Sequence, residues 1–173
     1  MGLSVSIGGA IIIFTISYMI MMFPSILDTT TSLTNTSTQR ANLDNVILKS
    51  DIRLSEINGT ALSNVVNFEV QNIGNEKLWE YDKFNLIITY DGGIATKTTY
   101  TEYFTFEKIC SDTVGKWCIT SIKNDAQDPK ILNFAEALKA KAAVSHPLYT
   151  NGVMTALIST DNGITAERTN RVS

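Results

Sequence analysis

Histidine occurs once in the 173 residues, at His146, and cysteine only twice, at Cys110 and Cys118. Three such side chains fall short of the four ligands of a structural zinc site, so no metal site can be assigned from them. A lone imidazole followed by Pro147 is biased toward extended loop backbone, and no Ser–His–Asp arrangement can be built around it. Glycine-rich phosphate loops, His-Glu-x-x-His helices and aspartate-rich calcium loops are also missing, and Gly8–Gly9 sits in an apolar run where it cannot cradle a phosphate. No catalytic residue and no cofactor follow, and the expectation is a non-enzyme. A formal charge of −3 and a pI near 5.1 leave no basic surface for nucleic acid or anionic lipid headgroups.

Charge is absent from residues 1–27, and between Leu3 and Phe23 only Ser, Thr, Gly and Tyr18 interrupt the apolar side chains. About 20 such residues at 1.5 Å each cover a hydrocarbon core of roughly 30 Å, which predicts a hydrophobic transmembrane helix over 1–27. A cleaved secretory signal fits poorly. No Lys or Arg precedes the run, the run exceeds the usual h-region, and no small-x-small site follows it before Phe23–Pro24. Gly2, Ser6 and Ala10 recur every four residues and, with Ile12 and Phe14, form the surface expected to meet lipid or another helix.

The positive-inside rule says nothing about orientation, because the first basic residue is Arg40. Two other features point to an extracytoplasmic C-terminal domain. The sequons Asn35–Thr36–Ser37 and Asn58–Gly59–Thr60 make Asn35 and Asn58 candidate glycosylation sites. Cys110 and Cys118 flank a short segment containing Gly115, so a hairpin could join them in a disulfide; the alternative is two reduced, buried thiols.

Residues 28–38 are a Thr/Ser-rich stretch whose β-branched side chains disfavour a free helix, and they read as a stalk. Residues 39–173 make one domain, opened by a helical lead-in over 39–50 with Leu43, Val46 and Ile47 on one face, a stripe suited to seating the stalk on the domain or on a neighbour's helix. From Asp51 the period becomes two. Ile52 to Ile57 and Leu62 to Val70 form a hairpin with its turn expected at Asn58–Gly59. Further strands are predicted at 84–90, 95–106, 117–122 and 153–160, and a last one after the turn Asp161–Asn162–Gly163. Lys130 to Val144 is rich in Ala, Leu, Glu and Lys yet alternates in its second half, so helix and strand both remain open there, with strand preferred for that half. This spacing describes an all-β immunoglobulin-like sandwich behind an N-terminal helix. Phe68, Phe84 and Trp117 are expected in its core, and Tyr100 and Tyr103 on opposite faces of one strand.

Met1 to Ser6 running into the apolar helix, Trp117–Cys118–Ile119–Thr120–Ser121–Ile122, Pro129 to Asn133 ahead of Glu136, and the closing Ser159 to Ile164 together resemble archaeal type IV pilin-like proteins, most of all the archaellum accessory (stator) family FlaF, with its relative FlaG. The resemblance implies a single-pass protein of the archaeal cell membrane whose sandwich lies in the pseudoperiplasm, binds the surface-layer (S-layer) protein and holds the motor alongside a FlaG-like partner. The family's Pro-Gly-Glu is replaced by Phe134–Ala135–Glu136, which puts that turn and the strand after it in question. The competing implication is an archaellin or adhesive pilin, a self-assembling subunit of an extracellular filament whose helix packs in the fibre core. Such precursors carry a short basic leader, and none is written ahead of Met1. A tethered adhesin is a third reading. The residues that would contact a partner are not assigned.

Overall fold

The computed structural model describes residues 3–125 and 128–173, with the side chains of 3–7 and 22–33 outside the description. The chain divides into two compact units, Met1–Asp44 and Asn45–Ser173.

Helix α1 runs from Leu3 to Lys49 without interruption. The expected stalk at 28–38 is therefore helical in backbone. Threonine can adapt to a helix by returning its hydroxyl to the carbonyl four residues back, as Thr15 Oγ1 does to Ile11 O at 2.8 Å and Thr38 Oγ1 to Thr34 O at 2.9 Å. Every described side chain from Gly8 to Met21 is exposed. Among the described residues no helix is long and apolar enough to cross a membrane; of the expected 1–27 span, only residues 8–21 have described side chains. In the lead-in stripe Val46 is half-buried, while Leu43 is 63 % exposed and Ile47 42 %.

In the second unit eight strands follow: β1 Ile52–Gly59, β2 Val65–Asn72, β3 Asn85–Gly92, β4 Thr98–Phe106, β5 Lys116–Lys123, β6 Ala137–Ala143, β7 Val153–Ser159 and β8 Thr165–Arg171. They form antiparallel layers β1-β2-β6-β5 and β4-β3-β7-β8, joined at one corner by a short parallel pairing of Thr105 and Phe106 with Lys116 and Trp117. At the opposite corner Ser173 bonds across to Gly59 and Ala61, and Asn170 Nδ2 donates to Ile57 O at 2.8 Å. The sandwich is thus nearly closed into a barrel, which leaves few free strand edges.

Alternation decides what lies between the layers. Ile52, Leu54, Ile57, Val66, Phe68 and Val70 face Leu86, Ile88, Tyr90, Phe104, Met154 and Ile158, all buried. Phe84 and Trp117 join them, as expected. The ambiguous alanine-rich segment is strand β6, central between β2 and β5. Ala140 lies between Phe68 and Ile119, and Ala142 between Val66 and Trp117. A central strand of alanines leaves room for the Phe68 and Trp117 rings, whose centroids are 5.9 Å apart, so packing overrides helix propensity here.

The first hairpin forms, but its turn is not Asn58–Gly59. Both residues belong to β1, Gly59 pairs with Val66, and Leu62 supplies the positive φ of 64° beyond them. Glycine at 59 leaves room for Leu148, whose Cδ1 would lie 2.3 Å from a Cβ there and would have to shift to admit one. The turn at Phe134–Ala135–Glu136 also forms, with Ala135 at φ 65°, and β6 follows it.

Candidate interaction face

Strand register places a broad surface of few charges on the outer face of the β4-β3-β7-β8 sheet, with Glu167 and Arg171 on its β8 edge and Asp91 paired with Lys97 at one end. Thr101, Thr89, Thr155 and Thr169 are successive cross-strand neighbours and form one row across all four strands. The adjacent row is Tyr103, Ile87, Leu157 and Glu167, and a third holds Asn85, Ser159 and Thr165. The hydroxyls of the threonine row satisfy one another, Thr89 with Thr101 at 3.0 Å and Thr155 with Thr169 at 2.8 Å. Tyr103 Oη donates to Asn85 Oδ1 at 2.7 Å, which steadies a ring that is 54 % exposed. A partner covering this face would desolvate few unpaired polar groups, and Tyr103, Ile87 and Leu157 would supply apolar contact.

The outer face of the other sheet is different in kind. Arg53, Glu56, Glu69, Lys123, Lys139 and Lys141 occupy it, and much of that charge is internally paired: Glu69 with Lys123, and Lys141 with Asp112 at 2.6 Å. Burial opposes ionisation of Glu69, but bonds from Lys123 and Ser55 outweigh it and hold the carboxyl below its ordinary value. Tyr100 and Tyr103 do lie on opposite faces. Tyr100 turns to the end of the core, where its ring stacks on His146 with centroids 4.0 Å apart.

That stack belongs to a polar cluster that brings Ser145, His146 and Glu102 together. Glu102 accepts from the Ser145 N–H at 3.1 Å, from the Ser145 hydroxyl and from the Tyr90 hydroxyl, while Ser145 Oγ lies 2.8 Å from His146 Nδ1. The order of groups is wrong for nucleophilic catalysis. A carboxylate only accepts, so the single hydroxyl proton of Ser145 points to Glu102 and His146 Nδ1 must be the donor to Ser145. An imidazole protonated on that nitrogen cannot take the serine proton there, and the carboxylate orients the serine instead of the histidine. The cluster is a latch that pins the β6–β7 loop. Burial and the Glu102 bond push the Tyr90 hydroxyl up to about 12, so it stays a neutral donor.

Cys110 and Cys118 form a disulfide in the structure, with Cα atoms 5.3 Å apart, and Gly115 between them takes φ 76°. Asn35 and Asn58 are exposed; Asn58 Nδ2 donates to Glu56 and its Oδ1 accepts from Asn170 at 3.2 Å. Ala10, Ile12 and Phe14 are exposed on α1, Gly2 lies outside the described residues, and the Ser6 side chain is not described. Among the described residues no group of three or more His, Cys, Asp or Glu could hold a metal ion. Sequence reasoning missed the threonine row and the Ile87–Leu157 pair, because alternation gives a residue's face but not its cross-strand partner.

No family model matches the chain, and comparison with curated proteins gives no match. Solved structures do resemble it. The archaeal flagellum of Methanospirillum hungatei strain JF1 aligns over 96 % of this chain and 93 % of its own, at 15 % identity and a TM-score of 0.59. The archaeal flagellin FlaB1 of Methanocaldococcus jannaschii aligns over 71 % and 90 %, at 9 % identity and 0.52. The archaellum periplasmic stator complex FlaF and FlaG of Sulfolobus acidocaldarius aligns over 69 % and 88 %, at 20 % identity and 0.49. The fold, a long N-terminal helix leading into a β-sandwich, is of the kind seen in the archaeal flagellum and flagellin structures.

Proposed function

We propose that the chain is a non-enzymatic structural component of the archaellum, held in the archaeal cell membrane by residues 1–27 as a single pass. Residues 28–38 act as a spacer, and residues 39–173 stand in the pseudoperiplasm. The observation that carries this reading is the helix surface: every described side chain from Gly8 to Met21 is exposed and uncharged, and water is a poor environment for it. Lipid covers such a surface without requiring a particular partner. The face around Tyr103, Ile87 and Leu157 then contacts envelope protein, either the S-layer protein or a FlaG-like partner, and holds the motor against it.

A second reading has an observation of its own. The likeness to the flagellum of M. hungatei runs through 96 % of the chain, helix included, which favours a filament subunit whose helix is covered by the helices of other copies. Separating native cells into membranes and sheared filaments, with mass spectrometry of this chain in each fraction, decides between them. Recovery in membranes supports the anchored component. Abundance in filaments overturns it in favour of a polymerising subunit.

A further inference from the structure

The β4–β5 corner leaves part of the sheet edge open. The parallel pairing ends at Phe106 and Trp117, with one further bond from Glu107 N to Trp117 O at 2.8 Å, after which the chain departs into the disulfide loop. Among the described residues no strand lies beside the outer edge of β5 from Ile119 to Lys123, where Cys110 Sγ approaches to 3.5 Å from Ile119 O; its ladder is with β6 alone. A groove of about 750 Å³ runs along this edge, lined by Trp79, Tyr81, Phe106, Lys108, Ile119 and Ile122 among others.

Three features of the groove bear on what fits it. Its lining joins an apolar strip, in which Tyr81 is buried and Phe106, Ile119 and Ile122 are half-buried, with the charged Glu80, Asp82, Lys108, Asp125 and Lys130. Trp79 is 54 % exposed, and it directly follows Leu78, whose backbone is held by paired bonds with Leu132 at 3.2 and 2.8 Å. A large ring on a fixed backbone needs little ordering to act as an anchor. Finally, the edge carries a bulge between Ile119 and Ser121, and the charged Lys108 and Lys123 stand near it, devices that discourage indiscriminate edge-to-edge pairing.

We propose that this groove binds an extended segment of another protein, which adds as a strand to the free edge of β5 and places alternate apolar side chains against Trp79, Phe106 and Ile122. Complementarity of backbone groups selects the occupant. A row of peptide N–H and C=O groups beside an apolar trough is matched by another extended backbone, while a helix or a sugar cannot satisfy the row in register. The inference rests on the β5 edge alone and holds for a membrane-anchored component and for a filament subunit alike.

The test uses the full chain in non-ionic detergent micelles and a synthetic peptide of alternating Val and Thr, about eight residues long with Lys at each end. Binding should shift Trp79 emission to the blue and slow amide exchange of Ile119 to Lys123 by about tenfold or more. The same peptide N-methylated at alternate amides should bind at least about tenfold more weakly, and so should the native peptide to Ile122→Glu; Trp79→Ala is the second variant if Ile122→Glu fails to fold. No binding at about 1 mM, equal binding of the methylated peptide, or protection confined to another edge would each overturn the proposal.

Discussion

Replacing Asn72 by Ala tests the polar staple under the sandwich. Asn72 is fully buried at the end of β2, and its side chain makes three bonds: Nδ2 donates to Glu76 O at 2.7 Å and to Leu132 O at 2.9 Å, and Oδ1 accepts from Gly74 N at 3.0 Å. Its backbone accepts from Ala135 N and donates to Glu136 O, so the residue ties the β1–β2 end of the sheet to the turn that launches β6. Two of the stranded groups keep other partners, because Gly74 N also reaches Asp51 O and Leu132 O also accepts from Leu78 N. The Glu76 carbonyl loses its bond from Asn72. The two bonds whose partners keep other contacts, at about 0.5–1 kcal/mol each, and the stranded Glu76 carbonyl, at about 1–3 kcal/mol, sum to roughly 2–5 kcal/mol, centred on about 3 kcal/mol. With a urea m-value near 2 kcal/mol/M, the unfolding midpoint should fall by about 1.5 M, read from the fluorescence of buried Trp117 in the full chain in micelles. Asn72→Asp should do no better, since it keeps one acceptor, loses both donations and buries a charge. A shift below about 0.5 M for either variant would show that these bonds add no more than surface contacts do.

Four further outcomes follow from the structure. Asp91 accepts from Val153 N at 2.8 Å, Lys97 at 2.9 Å and Thr99 at 2.9 Å; burial alone would raise its pKa, but these bonds win and lower it. Its contribution is therefore present above the ordinary carboxylate range and lost as pH falls through the lowered value, so Asp91→Asn should be less stable at pH 7 and should flatten the acid limb below about pH 4, measured by thermal melts across pH. Ala135→Gly relieves an alanine held at φ 65° and should raise stability by about 0.5–1 kcal/mol in urea titrations; a loss would show that the Cβ contributes packing. Intact-mass analysis should find Cys110 and Cys118 oxidised, with reduction costing about 2 kcal/mol because the closed loop is short, and free alkylatable thiols in fresh protein would contradict the link. Ile12→Lys should release the chain from membranes, at a cost of about 2.5–3.5 kcal/mol on insertion scales, and full retention on fractionation would remove the anchor argument.

Strand positions were legible because Ile, Val, Phe and Tyr alternate along β1, β2, β3 and β7, and burial in the sandwich follows that alternation. Local signals failed where a residue serves a distant one. Asn58–Gly59 reads as a turn dipeptide, but Gly59 answers to Leu148, far along the chain. Alanine in β6 reads as helix former, while its smallness answers to Phe68 and Trp117 on the neighbouring strands. Likewise, nothing near His146 in sequence announces Glu102 or Tyr90, which meet the Ser145–His146 pair only after β3 and β4 have formed. The candidate face is an intermediate case, because its side of each strand is readable and its four-strand rows are not.

The two outer faces of the sandwich argue for where contact occurs. A domain that needed only solubility would be expected to intersperse charge over both sheets. Here the ion pairs Glu69–Lys123 and Lys141–Asp112 lie on the β1-β2-β6-β5 sheet, while the centre of the β4-β3-β7-β8 sheet presents methyls, hydroxyls that bond among themselves and an exposed tyrosine, with Glu167, Arg168 and Arg171 on its edge strand β8. Covering the charged sheet would desolvate ion pairs for little return. Covering the centre of the other removes apolar area from water and strands few polar groups, which is the energetic condition for a lasting structural contact.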